Sequence, residues 1–140
     1  LSNWSDSKTD LEQIVADAPH HHHALTQLAA CYISMERPEK AEAPLNEALR
    51  LAPEHTDAWH QRGLLYLDWG REEAALNDFE AAVRCDGNHL DARLHIAAIH
   101  HEAGRFIEAS GAWKGVLAIE PEHAVARRRR EECDMALATM

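Results

Sequence analysis

One period organises this chain. Trp59, Gly63, Tyr66, Ala75 and Phe79 are followed 34 positions on by Arg93, Ala97, His100, Ala109 and Trp113. They are preceded 34 positions back by Leu25, Ala29, Tyr32, Ala41 and Leu45. A fixed interval of this length marks one supersecondary unit repeated and stacked, because a lone unit could not bury its own apolar face. The full units are residues 22–55, 56–89 and 90–123. Small residues return in register: Ala29, Ala41 and Ala48; Gly63, Ala75 and Ala82; Ala97, Ala109 and Val116. Large apolar residues return at Leu45, Phe79 and Trp113. Small residues at helical spacing let two helix backbones approach, and the large one fills the neighbouring gap. Pro53, Gly87 and Pro121 close the units, while Glu36-Arg37-Pro38, Gly70 and Gly104 break them midway. Each unit therefore reads helix, turn, helix.

The flanks fit the same grid. In residues 1–21, Leu11, Ile14 and Pro19 fall where a unit's large residue, small residue and closing proline would stand, so this stretch reads as half a unit, the second helix only. Residues 124–140 read as one capping helix, polar on most sides, as a terminal repeat must be where it meets water. The expectation is an all-α chain of eight helices: one, then three pairs, then one. The chain begins at Leu1 on a half-unit, which is read as a domain excised or processed from something longer.

These motifs resemble the tetratricopeptide repeat (TPR) family, whose pattern is W-x2-L-G-x2-Y, then A-x3-F, then P. The middle unit has Trp59-x2-Arg62-Gly63-x2-Tyr66, Ala75-x3-Phe79 and Gly87, departing at Arg62 and Gly87. The first has Leu25-x2-Leu28-Ala29-x2-Tyr32, Ala41-x3-Leu45 and Pro53; the third has Arg93-x2-Ile96-Ala97-x2-His100, Ala109-x3-Trp113 and Pro121. Three units in register cover 102 (3 × 34) of the 140 residues. The resemblance implies a right-handed superhelical solenoid of antiparallel helix pairs, forming a single TPR domain over 1–140. It implies a non-catalytic protein–protein interaction module, a scaffold or adaptor that binds a peptide or protein segment in a concave groove. The alternatives are a TPR assembly factor of the bacterial envelope (cytochrome maturation or secretion) and a regulatory TPR domain cut from a larger enzyme.

The resemblance also places the groove, since the first helix of each TPR pair lines it. The residues implied are Gln27, Asp57, His60, Gln61, Leu64, Asp68, Asp91, Leu94, His95, His101 and Arg128, with His23, Thr26, Ala30, Ile33, Ser34, Leu67, Ala98, Glu102, Val125, Arg129 and Glu132 beside them. Carboxylates, imidazoles and an aliphatic patch together suit a basic or polar ligand with an apolar anchor. TPR co-chaperones grip the C-terminal tails of Hsp70 and Hsp90 with a clamp of Lys, Asn, Asn, Lys and Arg. Those places hold Thr26, Ala30, Gln61, Asp91 and His95, so the cations are gone and the tails are not expected ligands.

A net charge of −10 argues against nucleic acid. Arg127-Arg128-Arg129-Arg130 is the exception, read as a solvated helix end with Arg127–Glu131 and Arg128–Glu132 pairs, a docking patch for an acidic partner being the alternative. No apolar run is long enough to cross a membrane. Cys31, Cys85 and Cys133 form no C-x-x-C pair; Cys31 and Cys85 are expected at semi-buried helical places as reduced structural residues, which leans towards cytoplasm over periplasm.

Histidine needs its own account. His20-His21-His22-His23 follows Pro19 and reads as a solvated turn, with entry into the first helix as an alternative, and with chance binding of nickel or zinc and no metal site or cofactor assigned. His60 and His95, with Asp57 or Asp91, could hold zinc, against the simpler reading of a hydrogen-bonded groove pair. His60, His95 and His101 would also gain charge as pH falls through about 6.5, making the groove pH-sensitive. No nucleophile–base motif stands out. His100 is read as a half-buried packing residue. Pro44, six residues past Pro38, is expected to kink its helix near Lys40–Pro44. Trp113 is read as core, Trp69 as partly exposed, and Trp4 with Leu11 as an end that could support weak self-association.

Overall fold

The computed structural model describes residues 3–18 and 20–140, with side chains from residue 7 onward. Among these residues there are eight α-helices and no strand. They are α1 (Asn3–Asp17), α2 (His22–Ser34), α3 (Glu42–Leu51), α4 (Thr56–Asp68), α5 (Glu72–Cys85), α6 (Leu90–Glu102), α7 (Phe106–Ile119) and α8 (Ala124–Ala138). The readings for Pro19 and the Trp4 side chain lie outside the described residues.

Helix starts follow the period. His21, His55, His89 and His123 stand at the N-caps of α2, α4, α6 and α8. The Nδ1 atoms of His21, His89 and His123 accept from the backbone amides of Ala24, Ala92 and Ala126, each at 3.1 Å. An amide of the first helical turn has no partner in its own helix, and a side-chain acceptor at the N-cap supplies one.

Helix ends repeat as well. Glu36, Gly70 and Gly104 have φ of 60°, 76° and 75°. At each, the amide of that residue bonds three residues back and the next amide bonds five back: Glu36 to Ile33 and Arg37 to Tyr32, Gly70 to Leu67 and Arg71 to Tyr66, Gly104 to His101 and Arg105 to His100. This is the left-handed C-terminal cap that glycine adopts without penalty. Glu36 is the non-glycine that adopts it among the described residues.

Pro44 does not kink a continuous helix. A 3-10 turn spans Pro38–Lys40, and α3 starts afresh at Glu42. Pro44 is thus the third residue of α3, where an amide needs no intrahelical partner and the missing donor costs little. The distortion falls just ahead of the proline, as a helix break.

The chain forms two compact units, Leu1–Arg71 and Glu72–Met140. In the first, α1 packs on α2, α2 on α3 and α3 on α4. Its core gathers Leu25, Ala29, Ala41, Leu45, Ala48, Leu49, Ala58 and Leu65, with Tyr32, Trp59 and Trp69 packed against it. In the second, α5 packs on α6, α6 on α7 and α7 on α8. Ala97, Ala109, Trp113, Val116, Ala126 and Cys133 make a core there, and Phe79 is fully buried. The periodic small and large residues are all buried, each large one contributing roughly 1.5–3 kcal/mol.

The departures from the family pattern are locally accommodated. Arg62 lays its guanidinium over Trp59 (5.1 Å) and Tyr66 (5.6 Å) and donates to Asn46 Oδ1 at 2.9 Å. Arg93 stands one period after Trp59 and repeats its bond: Trp59 Nε1 donates to Pro53 O and Arg93 Nε to Gly87 O, each at 2.7 Å.

Candidate functional site

α2 and α4 are the first helices of successive repeats, and within the first unit they flank a cavity of about 660 Å3. Ala30, Ile33 and Ser34 line it from α2, Gln61, Leu64, Leu65 and Asp68 from α4, and Glu36 and Pro38 from the turn after α2. The α4 residues are spaced i, i+3, i+4, i+7, which puts them on one helical face. The walls are mostly apolar, and Ile33 and Leu64 leave 37% and 38% of their surface in water. Gln61 Oε1 is buried and accepts no hydrogen bond among the described residues. A buried acceptor left unmatched costs roughly 1–3 kcal/mol.

Charge is confined to one end. Glu36 and Asp68 stand where α2 and α4 finish, and helix C-termini carry partial negative charge. Carboxylates and dipoles therefore add, and this end attracts a cation.

The other residues expected at the groove are placed as follows. In the first unit, Gln27 is exposed on α2 and His60 is half-buried on α4. Asp57 is exposed and lines a separate cavity of about 330 Å3 with His22, His23, Ala52, Glu54, His55 and Thr56. Thr26 is buried, its hydroxyl donating to His22 O at 2.9 Å. In the second unit, Asp91 is exposed on α6, and Leu94 packs on the core. His95 stacks on Phe79 with centroids 4.8 Å apart. Burial, opposed by Asp91 and reinforced by His89, holds its imidazole below the ordinary value. His95 thus gains its charge at lower pH than a free imidazole, which corrects the expectation of titration near that value. His101 lines a smaller cavity, about 140 Å3, with Ala98, Glu102, Trp113, Val125 and Arg129. Arg128 is exposed on α8.

The second unit also holds a thiol–imidazole–carboxylate series. His101 Nδ1 accepts from Trp113 Nε1 at 3.4 Å and lies 3.2 Å from Cys133 Sγ, while its Nε2 lies 3.6 Å from Glu132. An accepting Nδ1 puts the ring proton on Nε2, facing the carboxylate. Cys133 is fully buried, and burial first, then Asp134 and Glu132, raise its pKa against the pull of Arg129. It stays a thiol, whereas nucleophilic chemistry needs the thiolate. The series packs α6 to α7 and α8.

Two surface expectations change. Cys85 is exposed at the end of α5, while Cys31 is buried, deeper than the semi-buried place expected of both. The arginine run pairs differently: Arg127 with Glu122 (3.2 Å), Arg129 with Glu132 (3.3 Å) and Arg130 with Asp134 (3.8 Å). Side-chain reach, not sequence spacing alone, selects these partners, since Glu122 lies in the turn before α8. The histidine run enters α2, as the second of its two readings had it. His20 precedes the helix and His21 caps it, while His22 and His23 are its first residues.

Sequence reasoning overlooked one cluster. His22 Nδ1 lies 2.8 Å from His55 Nδ1, and the His23 ring lies tilted at 54° to that of His55, centroids 4.8 Å apart. The recurrence of histidine at 21, 55, 89 and 123 was the available signal. Burial first, then His23 and His22, lower the pKa of His55 against the opposing pull of Asp57 and Glu54. Among the described residues, no helix is long and apolar enough to cross a membrane.

A family model for the tetratricopeptide repeat matches residues 28–97, half of the chain. This chain belongs to the tetratricopeptide repeat family. None of the curated proteins matches it in sequence. Its fold is similar to that of MamA (TM-score 0.87, 15% identity, covering 98% of this chain and 80% of that one). It is similar to YrrB, described as a TPR protein with an unusual peptide-binding site (TM-score 0.77, 21% identity, 93% and 67%). It is also similar to the first TPR of Spaghetti (RPAP3) bound to HSP90 peptide SRMEEVD (TM-score 0.70, 19% identity, 84% and 95%). At these identities the likeness is one of fold. The fold is that of a protein–protein interaction module.

Proposed function

We propose that the chain is a non-catalytic adaptor that holds a peptide segment in the α2–α4 groove, an apolar side chain against Ile33 and Leu64 and a basic group at Glu36 and Asp68. The observation that carries this reading is a groove with mostly apolar walls, Ile33 and Leu64 part-exposed in it and the Glu36 and Asp68 carboxylates at one end. Apolar contact supplies affinity, and the charged end sets direction. The absence of cations from the clamp places, with Thr26 already bonded to its own helix, supports a ligand other than an acidic C-terminal tail.

Selection of a random peptide library on the immobilised chain tests this. Enrichment of a large apolar residue near Lys or Arg, lost in Leu64→Asp and inverted towards acidic peptides in Asp68→Lys, is expected. Enrichment of acidic peptides by the native chain, or binding indifferent to both substitutions, would refute it.

A further inference from the structure

Four histidines precede the first helices of successive units, and three cap those helices through Nδ1. His55 does not: among the described residues its helix has no side-chain cap bond. Its ring turns instead to His22 and His23. The three rings lie 4.4, 4.8 and 4.9 Å apart by centroid. One nitrogen from each can be chosen so that all three fall within 4.8 Å of one another. His22 and His55 approach Nδ1 to Nδ1 at 2.8 Å, a contact that requires a proton between two lone pairs.

We infer that His22, His23 and His55 form a binding site for a divalent transition metal of the zinc type, clipping the start of α2 to the turn before α4. Imidazole is a borderline ligand that suits zinc, copper and nickel, and three protein ligands with one open position make a common zinc arrangement. The ion takes the place of the shared proton, satisfying both lone pairs at once. Two nitrogens on one tetrahedral zinc stand about 3.3 Å apart when each bond is about 2.0–2.1 Å. The present spacings bracket that value, and rotation of the rings about χ2 spans the difference, since that torsion is broad. Glu54 and Asp57 line the same cavity and offer a carboxylate for the fourth position or for a hydrogen bond to a bound water. The ligands come from two segments 32 residues apart (55 − 23), so the ion links successive repeats of the first unit.

The competing explanation is chance binding by the run His20–His23, which His55 separates cleanly. Zinc alone, titrated into the whole chain by calorimetry, should bind with one-to-one stoichiometry. His55→Gln and His22→Gln should each weaken binding by more than about a hundredfold, beyond the roughly 10–100-fold that loss of a supporting contact costs. His89→Gln, one period further on, should leave it unchanged. Retention of native affinity in His55→Gln would overturn the proposal, as would no zinc binding at micromolar concentration. If a variant fails to fold by circular dichroism, the histidine ring signals of the native chain decide the matter. Zinc should shift those of His22, His23 and His55; shifts confined to His20, His21, His22 and His23 overturn it.

Discussion

Replacing Glu36 by glycine should stabilise the chain. Glu36 holds φ at 60°, one period before Gly70 at 76° and two before Gly104 at 75°. The hydrogen bonds of the three turns match within 0.1 Å, from 3.0 to 3.1 Å for the inner bond and 2.8 to 2.9 Å for the outer. The same backbone is therefore imposed on a residue with a Cβ and on two without. A left-handed conformation costs an L-residue about 1–2 kcal/mol. Glycine gives back roughly 0.5–1 kcal/mol of that through the greater freedom of its unfolded chain. The net gain is about 0.5–1 kcal/mol, a rise of about 2–5 °C in Tm for a chain of this size. Urea unfolding followed at 222 nm measures it, with an unchanged slope showing that the denatured state is unaltered. Gly104→Ala is the complement. A Cβ there would have no heavy atom within 4 Å, so its destabilisation reads the backbone penalty without a clash. If Glu36→Gly is neutral or worse while Gly104→Ala is harmless, the strain argument is wrong. Glu36 also lines the groove, so the stabilised variant should bind a cationic peptide less tightly.

Two further outcomes are expected. Gly111 and Gly115 both lie inside α7, but a Cβ on Gly111 meets nothing within 4 Å, whereas one on Gly115 would lie 2.8 Å from Arg93 Nη1. Gly111→Ala should therefore gain roughly 0.8–1 kcal/mol by denaturant unfolding; Gly115→Ala should gain less, because the guanidinium must leave its bond to Gly87 O, and an equal gain at both sites would contradict this. His95 titrates below the ordinary value in the fold, so the unfolded chain takes up the proton first as pH drops past about 6.5. Stability should fall between pH 7 and 5, and His95→Gln should flatten that part of the profile; an unchanged profile would remove His95 as its source.

Much of the fold was legible because stacked repeats face the same packing problem at the same interval. Ala29, Ala41, Leu45, Ala75, Phe79, Ala109 and Trp113 could be assigned to the core from spacing alone, and each is buried. Turn positions followed from the same spacing. Pro44 was misread only in degree, since residue order shows a proline but not whether the backbone has already restarted its helix ahead of it. Within the candidate groove, Gln61, Leu64 and Asp68 could be named because the resemblance to the tetratricopeptide repeat implies which places of the first helix face the groove.

The order of residues determined the helix pairs, their turns and the buried stripe, since these depend on contacts that recur every 34 positions. Tertiary structure alone decided which side chains meet across that interval. It turned His55 from its own helix towards His22 and His23, gave Arg129 to Glu132, and left Gln61 Oε1 without a donor among the described residues. Those outcomes rest on rotamers and on ångström-scale distances between segments far apart in the chain, quantities that periodicity does not encode.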